Sequence, residues 1–195
     1  ERPSASLQSP SVGGWKEVAR TTLDSASSTL DVSSIPDKRY YMVLFDFKRA
    51  GTSQNYIRLN GSTSDYIRSY RPNNGSTSNS STENGLYFTG NSSSVQNFAV
   101  WYISNKSGEE PLLLMNDYVE ASATGSGTAP DKQETVGKWT GTDVIDQITA
   151  GTTNANYASD SEMVILGWDP TDTHTDNFWE ELASADLSSG NAQEL

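Results

Sequence analysis

The one histidine of the chain, His174, sits in the run Asp169-Pro170-Thr171-Asp172-Thr173-His174-Thr175-Asp176. Carboxylates at Asp169, Asp172 and Asp176 beside an imidazole form an oxygen-rich set that suits a hard cation such as Ca2+. The spacing does not match an EF-hand loop, whose sixth position is glycine. Asp/Thr runs also make turns, and Asp176 stands where negative charge favours a helix N-terminus. The run therefore reads first as a turn into a capped helix over Phe178 to Ala185, and second as a calcium site. Serine-nucleophile catalysis would have to use His174 as its base, but no Gly-x-Ser-x-Gly elbow is present. Cysteine chemistry is excluded, because the chain has no cysteine. A P-loop and a Gly-x-Gly-x-x-Gly fingerprint are both missing. A glycosidase needs two facing carboxylates. Glu109-Glu110 lie in a Gly-Glu-Glu-Pro turn, and adjacent helical residues such as Glu180-Glu181 do not face each other. The reading is a protein without catalytic residues or a resident cofactor.

Aromatic side chains are the other chemical resource: five Trp, nine Tyr and five Phe. A Trp or Tyr on a sheet face can stack on a sugar ring or anchor a subunit contact. Trp15, Tyr70 and Trp139 neighbour polar turns, and Trp179 sits at the edge of the C-terminal helix, so these four are the candidate ligand or interface residues. Asn-x-Ser sequons occur at Asn60, Asn74, Asn79, Asn91 and Asn105. A chain this rich in Ser, Thr and Asn produces such triplets by chance.

Charge narrows the partners. Thirteen Lys and Arg stand against 25 Asp and Glu, a formal net charge of −12. Nucleic acid and anionic membranes need clustered cations, so neither is an expected partner. The acidic surface suits solubility instead. The longest apolar stretches, Tyr40 to Phe45 and Met163 to Trp168, fall far short of the ~20 residues of a membrane helix.

The elements that must position these residues are strands. Residues 1–14 are a Pro/Ser-rich arm, 15–187 a single domain, and 188–195 a polar tail. Within the domain, Tyr40 to Lys48, Leu86 to Thr89, Phe98 to Ser104, Leu112 to Glu120, Thr135 to Thr140, Val144 to Thr149 and Glu162 to Trp168 read as strands. Tyr56-Ile57-Arg58-Leu59, Asn60-Gly61 and Tyr66-Ile67-Arg68 read as a hairpin or short meander. Asn73 to Asn84 reads as a long exposed loop, and Ser122 to Lys132 as a second. About ten short strands without βαβ alternation predict an all-β antiparallel sandwich, jelly roll or barrel with one short C-terminal helix. Val43, Phe45, Val100, Tyr102, Leu114, Ile165 and Trp168 are the expected core.

Two stretches carry a family likeness. One runs Gly14-Trp15-Lys16-Glu17-Val18-Ala19-Arg20, then Leu30-Asp31-Val32 and Ile35-Pro36-Asp37-Lys38-Arg39-Tyr40. The other holds Lys138-Trp139, Ser161 to Pro170, and Asn177-Phe178-Trp179-Glu180-Glu181-Leu182-Ala183. Together they resemble structural proteins of tailed viruses of bacteria and archaea, over most of residues 14–187. The resemblance implies a jelly-roll-like component of the virion surface: a capsid-decorating, head-spike or tail-associated protein. It further implies a homo-oligomer, commonly a trimer, that contacts other virion proteins such as the major capsid protein. Binding of host-surface glycans is the first alternative and a secreted glycoside hydrolase the second. The resemblance brings no catalytic residue with it.

Overall fold

A computed structural model describes residues 14–49, 51, 53–72, 75–88, 95–119 and 129–169. The strands are β1 (Lys16–Thr22), β2 (Thr29–Ser33), β3 (Tyr40–Phe47), β4 (Asn55–Leu59), β5 (Tyr66–Pro72), β6 (Ser78–Glu83), β7 (Leu86–Phe88), β8 (Asn97–Ser104), β9 (Leu112–Val119), β10 (Asp131–Trp139), β11 (Gln147–Thr152) and β12 (Glu162–Trp168). No helix occurs among the described residues. The expected C-terminal helix, the tail and most of the N-terminal arm lie outside them.

The strands make two antiparallel sheets. The larger has the order β1-β12-β3-β8-β9-β10-β5-β6, the smaller β2-β11-β4-β7. Setting aside the β5-β6 and β9-β10 hairpins, the other eight strands nest. The first pairs with the last, β1 with β12; then β2 with β11, β3 with β8 and β4 with β7. One long hairpin rolled into two layers gives this pattern, so the sandwich is a jelly roll. Both extra hairpins extend the larger sheet beyond β8. One layer is therefore eight strands wide and the other four.

Alternation decides what each layer buries. Along β3 the inward residues are Tyr41, Val43, Phe45 and Phe47, and along β8 they are Asn97, Ala99, Trp101 and Ile103. Trp101 is fully buried between Phe45 and Phe88, with ring centroids 5.7 and 5.0 Å away. Its indole N–H donates to the Asp117 carboxylate at 3.3 Å, which satisfies the one polar atom of the ring. Gly137 on β10 admits the Leu86 side chain of the smaller sheet, since a Cβ there would stand 2.6 Å from Leu86 Cδ2.

Several sequence expectations need correction. Val43, Phe45 and Ile165 are in the core, but Tyr102 and Leu114 are exposed, and Val100 and Trp168 are only half-buried. The error is one of phase, since a single-residue shift moves a strand's whole set to the other face. β4 and β5 do not form a hairpin: β4 pairs with β11 and β7, and β5 with β10 and β6. The Asn60-Gly61 turn does exist, with φ of 51° and 65° and the Ser62 N–H donating to Leu59 O at 3.0 Å. It carries the chain from one sheet to the other instead of joining paired strands. Ser78–Glu83, expected in a loop, is an edge strand, because backbone pairing with β5 overrides the low strand preference of Ser and Asn. The strand expected over Val144 to Thr149 begins at Gln147 instead. The stretch before it is held by side chains: Asn60 Oδ1 accepts the N–H groups of Asp146 and Gln147, and Asn105 Oδ1 accepts that of Ile145. β1 and β2 were not anticipated at all.

Tyr66 links the two layers. Its ring is fully buried beside Trp139, and its hydroxyl accepts the Leu59 N–H at 2.8 Å, just before the turn. Replacing Tyr66 with Phe leaves that buried N–H without a partner. The expected loss of unfolding free energy is about 1–3 kcal/mol, read from urea denaturation. An unchanged midpoint would show that the hydroxyl does not tie the sheets.

Candidate interaction surface

Side chains directly opposite on paired strands share a face, so the register builds the outer face of the larger sheet row by row. The central row runs Leu166, Met42, Tyr102, Leu114, Val136 across β12, β3, β8, β9 and β10. The next row runs Trp168, Tyr40, Ser104, Leu112, Lys138, Ile67. On the other side lie Val164, Leu44, Val100, Asn116 and Glu134, and beyond them Glu162, Asp46, Phe98, Tyr118 and Lys132.

The middle of this face is apolar and open. Leu112 is 60% exposed, Val136 53% and Leu114 46%. Every exposed large hydrophobic among the described residues, with Ile67, Phe98, Tyr102 and Tyr118 completing the set, lies on this one face. Such contiguity contrasts with the singly scattered apolar residues of an ordinary protein exterior. At one end Trp15, Tyr40, Tyr102, Leu112, Leu114 and Trp168 line a depression of about 570 Å³. Tyr40 stacks on Trp168 at 5.2 Å, while Trp15 leans against Trp168 and Tyr102 at 6.4 and 6.5 Å. The buried indole N–H of Trp168 has no acceptor among the described residues. Past Leu112 and Val136 the trough continues into a second depression of about 420 Å³, bordered by Ile67, Ser69 and Asn79.

Charges stand at the rim and are paired by sign. Arg20 bridges Glu17 at 2.6 Å and Glu162 at 3.1 Å, and Lys132 reaches Glu134 at 3.4 Å. Lys138 pairs with Glu110. The Arg20 hydrogen bond holds the Glu17 carboxyl below its ordinary range. Asp46 behaves oppositely: its side chain is exposed, yet partial desolvation by its neighbours raises its pKa, Lys48 offsets part of this, and Glu162 adds to it.

The structure places the sequence candidates unevenly. Trp15 belongs to this surface. Trp139 is buried in the core against Tyr66. Tyr70 is half-buried with the Arg68 guanidinium 4.1 Å from its ring centre. Asp169 ends the described segment, while Asp172, Asp176 and Trp179 lie outside the described residues, as do His174, Glu180 and Glu181. Among the described residues no three His, Asp or Glu groups are close enough to hold a metal ion. Glu109 and Glu110 sit in an exposed turn, and each pairs with its own lysine, Lys106 and Lys138. Asn60 and Asn105 use their side-chain amides in hydrogen bonds, Asn60 donating to Val144 O and Asn105 to Lys38 O. The residues that matter most here, Tyr102, Leu112, Leu114 and Val136, were not singled out as a surface. Their signal was the unbroken apolar runs Phe98 to Ile103 and Leu112 to Met115, which make both faces of a strand apolar.

The raised Asp46 pKa gives a pH-dependent expectation. The folded state binds its proton more tightly than the unfolded chain does. The protonated form is thus favoured on folding, and the associated stability is lost as pH rises through the folded pKa. Asp46→Asn is expected to raise the melting temperature at pH 7 and leave it unchanged near pH 3. Lower stability at pH 7 would contradict the burial origin of the shift.

Comparison with protein-family models, with characterised proteins and with solved structures finds no match to this chain.

Proposed function

We propose that this protein is a virion structural protein, a capsid-decorating, surface or tail component, held in its particle by subunit contacts through the outer face of the larger sheet. The observation that carries the reading is that face: an apolar middle with a charged, paired rim, which is the anatomy of a protein–protein contact. A fold alone does not assign a function. The viral setting rests on the resemblance of residues 14–40 and 138–183 to tailed-virus structural proteins. The expected partners are further copies of the chain and neighbouring shell proteins such as the major capsid protein, on the outside of the particle. Mass spectrometry of gradient-purified particles is expected to find the chain at a copy number comparable with other shell components. Its presence in infected-cell lysate but not in particles would overturn the reading.

A second reading is favoured by one specific feature, the aromatic depression of Trp15, Tyr40, Tyr102 and Trp168. Flat aromatic rings around an open depression suit a sugar ring, so this end of the face would bind host-surface glycans. On a glycan array, Trp15→Ala is expected to weaken any specific signal about tenfold or more, the loss of one good aromatic stack. A signal indifferent to this change would remove the glycan reading.

A further inference from the structure

We infer that the outer face of the eight-stranded sheet is covered by the same face of a second copy, in a two-fold, face-to-face dimer centred near Tyr102 and Leu114. This rests on the subunit-contact reading and names the partner.

Three observations point to a second copy. The first is charge. The chain as a whole carries −12, so two copies repel through most orientations. On this face the cations Arg20, Lys132 and Lys138 stand beside the acids Glu17, Glu162, Glu134 and Glu110. With Asp46 counted the face is still slightly acidic, but its paired charges make like-charged copies repel less here than the net charge of the chain implies. The second is number. A ring such as a trimer joins two different patches on each subunit, whereas a two-fold contact uses one patch against itself. Among the described residues the exposed large hydrophobics form one patch on one face. The third is area. Strands ~4.8 Å apart, with a same-face repeat of ~6.8 Å, give roughly 33 Å² of plane per outward residue. With roughly two dozen outward residues on β12, β3, β8, β9, β10 and β5, the face spans about 800 Å² of plane with its rim included, of the order of one side of a standard stable interface.

The geometry follows from sheet packing. Two such faces lie about 10 Å apart with their strands within about 30° of each other. The depression between Trp15, Tyr102 and Leu114 then receives an apolar side chain from the partner, and the rim residues stay wet.

The test is light scattering of the full chain at micromolar concentration. The expected result is twice the chain mass. Leu114→Glu is expected to weaken the dimer about a hundredfold or more, as for a central hot spot, with an unchanged circular dichroism spectrum. Because Leu114 is nearly half exposed, this variant tests association separately from folding. Ser33→Glu, on an exposed position of the smaller sheet, is expected to leave the dimer intact. A wild-type monomer would overturn the inference, since the face would then be covered by another protein or by residues beyond Asp169. A trimer, or a dimer indifferent to Leu114→Glu, would overturn it equally. Failure here is separable from failure of the assembly reading: a chain that is monomeric in solution yet present in particles sinks only the dimer. A dimer that never enters particles sinks only the virion role.

Discussion

Strand β3 sits between β12 and β8, and its two faces are both largely apolar. Near-continuous apolar runs of this kind are typical of strands covered on both faces. Tyr41, Val43, Phe45 and Phe47 point into the sandwich, where the four-stranded sheet covers them. Tyr40, Met42 and Leu44 point the other way, and the neighbours repeat the pattern, with Tyr102 on β8 and Leu114 on β9. The fold thus covers one side of its most apolar strands and leaves the other side open among the described residues.

The jelly-roll nesting explains why the imbalance falls on one sheet. Eight strands alone would give two four-stranded layers that cover one another. The two inserted hairpins both join the β8 side, so they widen one layer only. On the inner side the extension remains tied to the sandwich through Leu86 against Gly137 and through the Tyr66 hydroxyl at Leu59. On the outer side it adds Leu112, Leu114, Val136 and Ile67 to a face that already carried Tyr102 and Trp168. Widening the sheet and creating the exposed apolar face are therefore one structural event.

The all-β class was legible because aromatic and β-branched runs bounded by Gly, Asn and Ser clusters have few other outcomes. Glu162 to Trp168 appears with the same limits in the structure, and Tyr40 to Lys48 loses only its last residue. What stayed hidden has physical causes. Phe98 to Ile103 is apolar at nearly every position, so its sequence does not say whether Trp101 or Tyr102 faces inward. Register with β3 decides that, and register is a long-range property. Ser78–Glu83 has no apolar signature, because an edge strand with mostly exposed side chains needs only backbone pairing. The Tyr-Ile-Arg echo around Asn60-Gly61 suggested a hairpin, but the partners of β4 come from β7 and from the distant β11. Trp15, beside a polar segment in the sequence, lies on the outer face against Trp168 and Tyr102. Trp139 in a similar setting went to the core, because its position on β10 faces Tyr66 on the inner side.

The edges of the sheets reinforce the case for association through a face. Open strand edges invite pairing with another chain, and proteins blunt them with charges, bulges and short strands. β1 ends the larger sheet with Lys16, Glu17 and Arg20 and an irregular register between Glu17 and Ala19. β6 ends the other side with a register shift opposite Tyr66 and Arg68, and Thr82 takes a φ of 59°. In the smaller sheet one edge, β7, is three residues long. A chain that blunts three of its four edges yet leaves Leu112, Leu114 and Val136 exposed among the described residues restricts edge-to-edge pairing more than face-on contact.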